Sequence, residues 1–349
     1  MLLIISVCMA SVAWAEAPQA QRTIKVGYIG SLSNFAAEYG QAVLDGIQLA
    51  KDELSAQGVE TKLVIEDDGS EPRSTLSAYR KLTGLNQIEG LITGTWWANS
   101  LVSVAAKTKM PLLSCETMYD KEALTAPNYF IMEGDLKEWV RVFEPVIEAE
   151  KIESGAILRF QSGFGETLAQ AMAETFSKPG RTFLGDFEYT DIQAGDVAQT
   201  LLKIKALKPG VLFIDAQPAG LATILKRLGE LGMTSQRIFT HSIVREIVNR
   251  HLAPSELLVH TSFTARQAFG GPFADNFRRK FGREPSHQAD LGYYSLLLIA
   301  QGLAAKDPLA SIRTGDLPQF KLTFGDKNVL TAHRHQIFDV HDGIIVPHG

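Results

Sequence analysis

Short apolar runs alternate with longer segments of helical periodicity along almost the whole chain, and this alternation limits the possible folds more than any other feature. Runs at 24–29, 62–66 and 90–93 have the length of buried strands, while residues 38–56 place apolar side chains at helical spacing. Strands that alternate with helices form parallel sheets covered by helices on both faces. The sequence therefore predicts an α/β protein with doubly wound parallel sheets.

The same pattern restarts after residue 135, which indicates a second sheet. The other predicted strands lie at 111–114, 156–160, 181–187, 210–214 and 237–240. The other predicted helices lie at 74–85, 100–107, 165–176, 195–207 and 219–231. The length of 349 residues fits two domains, since about 150 residues per domain is typical. We therefore predict two α/β lobes.

The last quarter of the chain does not continue the alternation. Two helices are predicted at 270–281 and 289–305, followed by a short antiparallel strand pair within 322–346. Because these helices have no sheet of their own, they must cover lobes that earlier residues form.

The first fifteen residues have the features of an export signal. They contain no charged side chain and end in Ala-Trp-Ala, and a short apolar segment closed by such a site is typical of a signal peptide. We expect residues 1–15 to be removed and the mature protein to be periplasmic or secreted. Lipid anchoring through Cys8 is disfavoured because Val7 is bulkier than the small residue that precedes a lipidated cysteine. Cleavage leaves Cys115 without a disulfide partner.

Composition and missing motifs exclude several classes of function. The 34 Lys and Arg residues are outnumbered by 39 Asp and Glu residues, which argues against a nucleic-acid partner. No glycine-rich dinucleotide motif follows the first strand, and neither a Walker A motif nor a G-x-S-x-G motif occurs. Cys115 has no sequence partner that marks it as a nucleophile, and we expect it to be buried at a strand end. No cofactor and no catalytic residue is predicted.

Two pairs of residues allow a metal-site interpretation that we do not favour. His333 and His335 lie two apart on a predicted strand and so face the same side, but no third ligand is identifiable. The Asp67–Asp68 pair falls between a strand and a helix start, where an aspartate oxygen satisfies free N–H groups. We therefore expect a solvated or edge-strand histidine pair and a capping aspartate pair.

Polar and aromatic residues follow the carboxyl ends of the predicted strands, where open parallel sheets bind ligands. Those of the first lobe are Ser31, Ser33, Trp96, Trp97, Asn99, Ser100, Cys115, Glu116 and Thr117. Those of the second lobe are Gln161, Ser162, Phe164, Asp215, Gln217, His241 and Ser242. Exposed tryptophans usually have a partner that covers them, so the adjacent pair either contacts a ligand or packs into the lobe.

Several long segments, in this order and spacing, carry a family resemblance. They are IKVGYIGSLSNFAAEYGQAVLDGIQLAKDEL (24–54), KLVIEDDGSEP (62–72), GFGETLAQAM (163–172) and FGREPSHQADLGYYSLLLIAQGL (281–303). Together with the final strand pair, the match covers residues 24–346. The chain resembles the leucine/isoleucine/valine-binding family of type I periplasmic binding proteins.

The resemblance implies a fold and a role. Such proteins have two lobes joined by a three-segment hinge, close around a small solute and present it to an ABC permease. The implied first lobe consists of residues 22–134 plus 262–322, and the implied second lobe of residues 135–261 plus 323–349. Since the solute contacts both lobes only when they are closed, its binding shifts the equilibrium toward closure.

The resemblance also implies ligand-binding positions. Tyr39 matches a tyrosine beside the ligand, and Asn99–Ser100 falls where a helix N-terminus holds the ligand's carboxylate. Glu116 and Met118 occupy the next loop that lines the ligand, and Phe164 replaces a frequent tyrosine. The acidic residue that holds an α-ammonium group would fall near His241–Ser242, which contains none.

These departures leave the ligand open between an amino acid and a small, partly apolar or aromatic carboxylate or amide. An ammonium group would need Glu116 or Asp215 in place of the missing acid, because a buried cation requires a partner. Two other functions remain as alternatives, namely a sensing subunit on the same fold and a secreted α/β enzyme. The enzyme would need a nucleophile, a base and an orienting group, and no such set is evident.

Overall fold

Two sheets form from the two predicted runs of alternating strands and helices. The computed structural model describes residues 22–117, 124–190, 195–266, 272–286, 288–317, 320–331 and 335–349. The predicted signal peptide with Cys8, and also Met118 and His333, lie outside these described residues.

The first sheet is entirely parallel. Its strands are β1 (Arg22–Gly30), β2 (Val59–Asp67), β3 (Gly90–Gly94), β4 (Leu112–Ser114) and β5 (Tyr129–Ile131). Their order across the sheet is β2-β1-β3-β4-β5, with β1 paired to both β2 and β3. The strand order therefore reverses at β1, which is the position where open sheets leave room for a ligand.

The second sheet is mixed. Its parallel strands are β6 (Ser154–Phe160), β7 (Thr182–Tyr189), β8 (Val211–Asp215), β9 (Ile238–Thr240) and β10 (Thr261–Arg266). A small separate hairpin follows, formed by β11 (Asp316–Leu317) and β12 (Phe320–Lys321). The chain then adds β13 (His335–His341) and β14 (Ile344–Pro347). The sheet order is β14-β13-β10-β9-β8-β6-β7, and the predicted antiparallel pair within 322–346 is confirmed as its edge.

Helices cover both faces of both sheets. Those before residue 150 are α1 (Ala37–Ala56), α2 (Pro72–Arg80), α3 (Val102–Ala105), α4 (Glu138–Arg141) and α5 (Glu144–Ala149). The helices between the parallel strands of the second sheet are α6 (Gly163–Thr175), α7 (Gly195–Leu207), α8 (Pro218–Glu230) and α9 (Val244–Asn249). The last three are α10 (Phe273–Phe281), α11 (Ala289–Ala304) and α12 (Pro308–Thr314). Two apolar clusters lie on each sheet, one per face, so the doubly wound two-lobe prediction is confirmed.

The predicted positions of the crossings between the lobes need two corrections. Strand β10 is paired with β9 and β13, so the second crossing follows Arg266 and the predicted boundary at 262 is wrong. Val329 bridges to Ile131 of the first sheet, so the third crossing falls after this point and the predicted boundary at 323 is also wrong. The chain passes between the sheets after β5, after β10 and before β13.

Helix α11 explains how the end of the chain returns to the first lobe. Twelve of its sixteen residues are buried, and it packs along α1. The two helices approach closely because glycines face each other's backbone. A Cβ atom at Gly46 would lie 1.7 Å from the carbonyl oxygen of Ala289, and one at Gly292 would lie 2.1 Å from that of Val43. This contact therefore has no room for a methyl group.

We expect Gly46→Ala to lower the free energy of unfolding by about 3 kcal/mol, because overpacking at a backbone contact forces the helices apart. Thermal or urea unfolding measures this loss. Gly84→Ala is the matched control, since a Cβ atom there has no atom within 4 Å and should leave stability unchanged or slightly raised. Equal stability of the two variants would contradict the close-packing interpretation.

Candidate functional site

A buried aspartate organises the loops at the carboxyl end of the first sheet. Asp68 Oδ1 accepts hydrogen bonds from the Ser31 hydroxyl (2.9 Å) and the Ser70 N–H (2.9 Å). Its other oxygen accepts hydrogen bonds from the hydroxyl groups of Thr75 (2.7 Å) and Thr95. Asp68 therefore fixes the ends of β1, β2 and β3 relative to one another.

The prediction that Asp67 and Asp68 cap the turn before α2 is only partly confirmed. Asp67 accepts hydrogen bonds from the N–H groups of Leu32 and Gly69, both at 2.9 Å, so the pair does stabilise the turn. The N-cap of α2 is instead Glu71, whose side chain makes no capping hydrogen bond. Among the described residues, no group of three or more His, Cys, Asp or Glu residues is arranged to hold a metal ion.

The double tryptophan lies on the loop that follows β3. Both Trp96 and Trp97 are half-buried, so neither is fully packed into the lobe interior. The backbone N–H of Trp97 donates to the Thr95 hydroxyl at 3.2 Å, and this hydrogen bond connects the loop to the hydrogen bonds around Asp68. The indole Nε1 of Trp97 is buried and has no hydrogen-bond partner among the residues that the structure describes. Trp97 therefore offers an unused donor beside the strand end.

The turn at Asn99–Ser100 differs from the prediction. A 3-10 turn spans Ala98–Leu101 and leads into the short α3, so both residues lie inside the first turn and not before it. The Ser100 N–H and hydroxyl both donate to the Trp97 carbonyl, at 2.9 and 2.7 Å. Asn99 Nδ2 donates to the Thr117 carbonyl at 3.3 Å, whereas its Oδ1 has no hydrogen-bond partner in the described part of the chain. Fewer N–H groups are thus available to an anion than the prediction assumed.

The loop after β4 joins the remaining first-lobe residues. The Tyr39 hydroxyl donates to the Cys115 carbonyl at 2.8 Å, and the Thr117 N–H donates to Glu116 Oε1 at 3.0 Å. The Thr117 hydroxyl donates to the Gly134 carbonyl at 3.0 Å, at the start of the first crossing. Cys115 is fully buried at the strand end, as predicted, and burial raises the pKa of its thiol.

The surroundings of Glu116 disfavour its ionised form. Burial, and then the nearby charge of Glu133, raise the pKa of the Glu116 carboxyl to about 8. Hydrogen bonds from Thr117 and Tyr39 act in the opposite direction but do not compensate. The Glu116 side chain is therefore largely protonated at neutral pH, so it can donate as well as accept a hydrogen bond.

The predicted second-lobe residues meet in a second group. Phe164, at the start of α6, lies edge-on to the ring of His241, with ring centroids 5.9 Å apart. His241 Nε2 lies 3.3 Å from Asp215 Oδ1, and both side chains are buried. Ser242 is half-buried and begins the turn into α9. The acid predicted as a possible ammonium partner, Asp215, is thus already engaged by His241.

Trp139 is the residue that the sequence analysis missed. It lies on α4, just after the first crossing, and its ring contacts Phe164, His241 and His335 at centroid distances of 5.6, 5.4 and 5.7 Å. Residues 139, 140, 143 and 147 are buried at helical spacing, a signal that could have identified this segment. His335, at the start of β13, packs in this aromatic cluster, whereas its predicted partner His333 lies outside the described residues.

The two groups belong to different lobes, and these lobes approach each other beside the first group. Arg250, which follows α9, lies 3.7 Å from the Glu38 carboxylate at the start of α1. Both side chains are mostly exposed, so this ion pair contributes little to stability. It marks where the lobes approach, next to Tyr39.

None of the helices in the described part of the chain combines the length and apolar character needed to cross a membrane.

Comparisons with known proteins give one matching family and many similar folds. A family described as periplasmic binding protein matches residues 23–317. The chain is 39% identical to the Leu/Ile/Val-binding protein BraC3 of Rhizobium johnstonii over 74 residues, which is 20% of either protein. This match therefore spans only a fifth of that relative.

Three solved structures illustrate the similarity of fold. Isoleucine-bound LivJ of Streptococcus pneumoniae is 19% identical, with a TM-score of 0.77 over 93% of this chain and 100% of that chain. A benzoate-bound solute-binding protein of R. palustris is 16% identical, with a TM-score of 0.78 over 94% and 96%. The leucine-binding protein LivK of Thermotoga maritima is 15% identical, with a TM-score of 0.80 over 93% and 98%. At these identities the likeness concerns the fold alone.

Proposed function

The chain belongs to the periplasmic binding protein family, as its sequence resemblance predicted, and from that premise we propose that it binds a small solute between its lobes. It then presents this solute to an ABC permease from an extracytoplasmic location. The supporting observation is that strand-end residues of both sheets carry aromatic rings. Trp97 contributes a ring and an unused indole donor from the first lobe, and Phe164 contributes a ring from the second.

The proposed ligand is a small carboxylate with an apolar or aromatic body. The buried Trp97 indole N–H favours a ligand that accepts hydrogen bonds, since a buried donor without a partner costs free energy. The rings of Trp96, Trp97 and Phe164 suit an apolar body. Isoleucine and benzoate, bound by two of the similar proteins, both carry a carboxylate, so this class of ligand is consistent with the fold.

The charge of the ligand depends on Glu116. Because Asp215 is engaged by His241, Glu116 is the one of these two predicted acids that remains for an ammonium group. A protonated Glu116 favours a ligand without that group, since it can donate a hydrogen bond to a carboxylate or amide. We therefore place the carboxylate near Trp97, Asn99 and Ser100, with Tyr39, Glu116 and Thr117 beside it. Phe164, His241 and Ser242 would close over it from the second lobe.

The solute can be identified by native mass spectrometry of the purified protein, which detects small molecules that stay bound. Small-angle scattering with that solute then tests closure. We expect a smaller radius of gyration at saturation, because the ligand contacts both lobes only in the closed arrangement. A radius that does not change with saturating solute would contradict closure.

We expect no chemical conversion of the solute, since the family consists of solute-binding proteins. Recovery of unchanged solute after incubation would agree with this, and turnover would point to an enzyme instead.

A further inference from the structure

Three buried charged residues lie together where the chain passes between the lobes. Arg266, Asp290 and Glu133 are each no more than 6% exposed. Arg266 Nη2 donates to Asp290 Oδ1 at 2.6 Å, and Nη1 donates to the other oxygen, so the pair is bidentate. Glu133 Oε2 lies 3.7 Å from Arg266 Nε. Burying charged groups costs free energy unless their partners are well placed. The positions of these three side chains relative to one another are therefore tightly constrained.

The three residues come from different parts of the fold. Arg266 is the last residue of β10, in the second sheet. Asp290 lies in the first turn of α11, which packs on α1 in the first lobe. Glu133 lies between β5 and α4, in the first crossing. The Arg266–Asp290 pair therefore connects the two lobes directly, beside two of the three crossings.

The cluster also influences the candidate ligand site. Burial alone would lower the pKa of Arg266, but the carboxylates of Asp290 and Glu133 raise it, so the guanidinium stays charged. The charge of Glu133 in turn raises the pKa of Glu116. Movement of the lobes that separates Arg266 from the carboxylates would thus change the electrostatics beside Tyr39 and Glu116.

We propose that Arg266 is a positioning residue whose bidentate ion pair with Asp290 favours the arrangement in which the lobes lie close together. This inference rests on the proposed closure of the lobes around a solute. Weakening the pair should move the protein toward the open arrangement without removing any group placed at the ligand. Loss of one hydrogen bond to a charged group changes such an equilibrium by about tenfold.

The test measures the distance between the lobes in protein to which no solute is added. Cysteines placed at the exposed positions Gln41 and His251, on either side of the Glu38–Arg250 contact, carry nitroxide labels for pulsed electron paramagnetic resonance. The buried Cys115 should not react with the label. In Arg266→Lys, which keeps the charge but loses the bidentate geometry, we expect the ratio of long to short distances to rise about tenfold.

Arg159 provides a matched control. It is also buried and donates two hydrogen bonds to Asp186, at 2.7 and 2.8 Å, but both residues belong to the second sheet. Arg159→Lys should lower the melting temperature while leaving the distance distribution unchanged. An Arg266→Lys variant that loses stability but keeps the parent distances would overturn the proposal.

A second variant decides the question if Arg266→Lys does not fold. Asp290→Asn keeps the shape of the side chain and weakens the same pair from the first lobe, with Asp186→Asn as its control. Longer distances in Asp290→Asn alone would support the proposal, and parent distances in both would overturn it. Because no solute is added, failure to find a transported ligand does not affect this result.

Discussion

The affinity for a carboxylate solute that lacks an ammonium group is expected to fall by up to tenfold for each pH unit above 8. Burial and the charge of Glu133 raise the pKa of Glu116 to about 8, so this side chain loses its proton in that range. An anionic ligand beside Glu116 favours the protonated carboxyl, which raises its pKa further in the complex. Binding is therefore strongest below pH 8 and weakens as the free protein becomes ionised. Isothermal titration calorimetry between pH 6 and about 10 measures the slope.

For a ligand that carries an ammonium group, we expect the affinity to rise with pH instead of falling. The bound cation favours ionised Glu116 and lowers its pKa, so affinity rises with pH up to about 8 and stays level until the ammonium group itself loses its proton. Glu116→Gln provides the control, because glutamine is neutral at every pH and keeps the shape of glutamic acid. This variant should lose the pH dependence, retain affinity for an anion and lose affinity for an ammonium ligand. An unaltered pH profile in Glu116→Gln would show that another group is responsible.

Removal of the Trp97 side chain should weaken binding of the identified solute at least thirtyfold. A buried aromatic residue at the centre of a binding site typically contributes about 2 kcal/mol or more, which corresponds to that factor. Trp97→Phe should lose about tenfold, because it keeps a ring but removes the indole N–H proposed to bind the carboxylate. Trp96→Ala tests whether its neighbour contributes as well. Calorimetric titration of each variant gives the affinities.

Trp139→Phe is the comparison for the Trp97 variants. Its indole Nε1 is also buried without a hydrogen-bond partner among the described residues, but the ring is covered by contacts with Phe164, His241 and His335. We expect its affinity to stay within about twofold of the parent, since Trp139 packs behind these residues and is not itself placed at the ligand, so that its replacement acts mainly on stability. If Trp96→Ala and Trp97→Ala both bind as tightly as the parent, the double tryptophan has only a packing role.

Most of the fold could be predicted from periodicity because its helices and strands are long and regular. Helix α1 begins one residue before its predicted start and ends where predicted, at Ala56. The three-residue β5 was missed because so few residues define no period, although β4 and β9, of the same length, were predicted. Strand β10 was missed because its sequence, TSFTAR, is polar although every side chain is buried. That omission also shifted the predicted second boundary.

The candidate site could be predicted as a set of loops but not as a set of contacts. The sequence analysis correctly expected polar and aromatic residues at the strand ends. It did not reveal that Asp215 is engaged by His241, since the two are 26 positions apart. Nor did it reveal that Ser100 bonds to the Trp97 carbonyl, because hydrogen bonds within a 3-10 turn depend on local geometry that a loop sequence does not determine. Trp139 was missed because no element had been predicted around it.

The position of β13 in the second sheet has a consequence for biosynthesis. This strand, from residue 335 onward, pairs directly with β10, while α10 and α11 complete the first lobe only after residue 273. A nascent chain that has not yet produced these segments exposes the edge of β10 and the apolar surface of α1. Unpaired strand edges are templates for aggregation. Neither core can therefore be completed until synthesis is nearly finished, and chaperones that hold growing chains have an extended target in this protein.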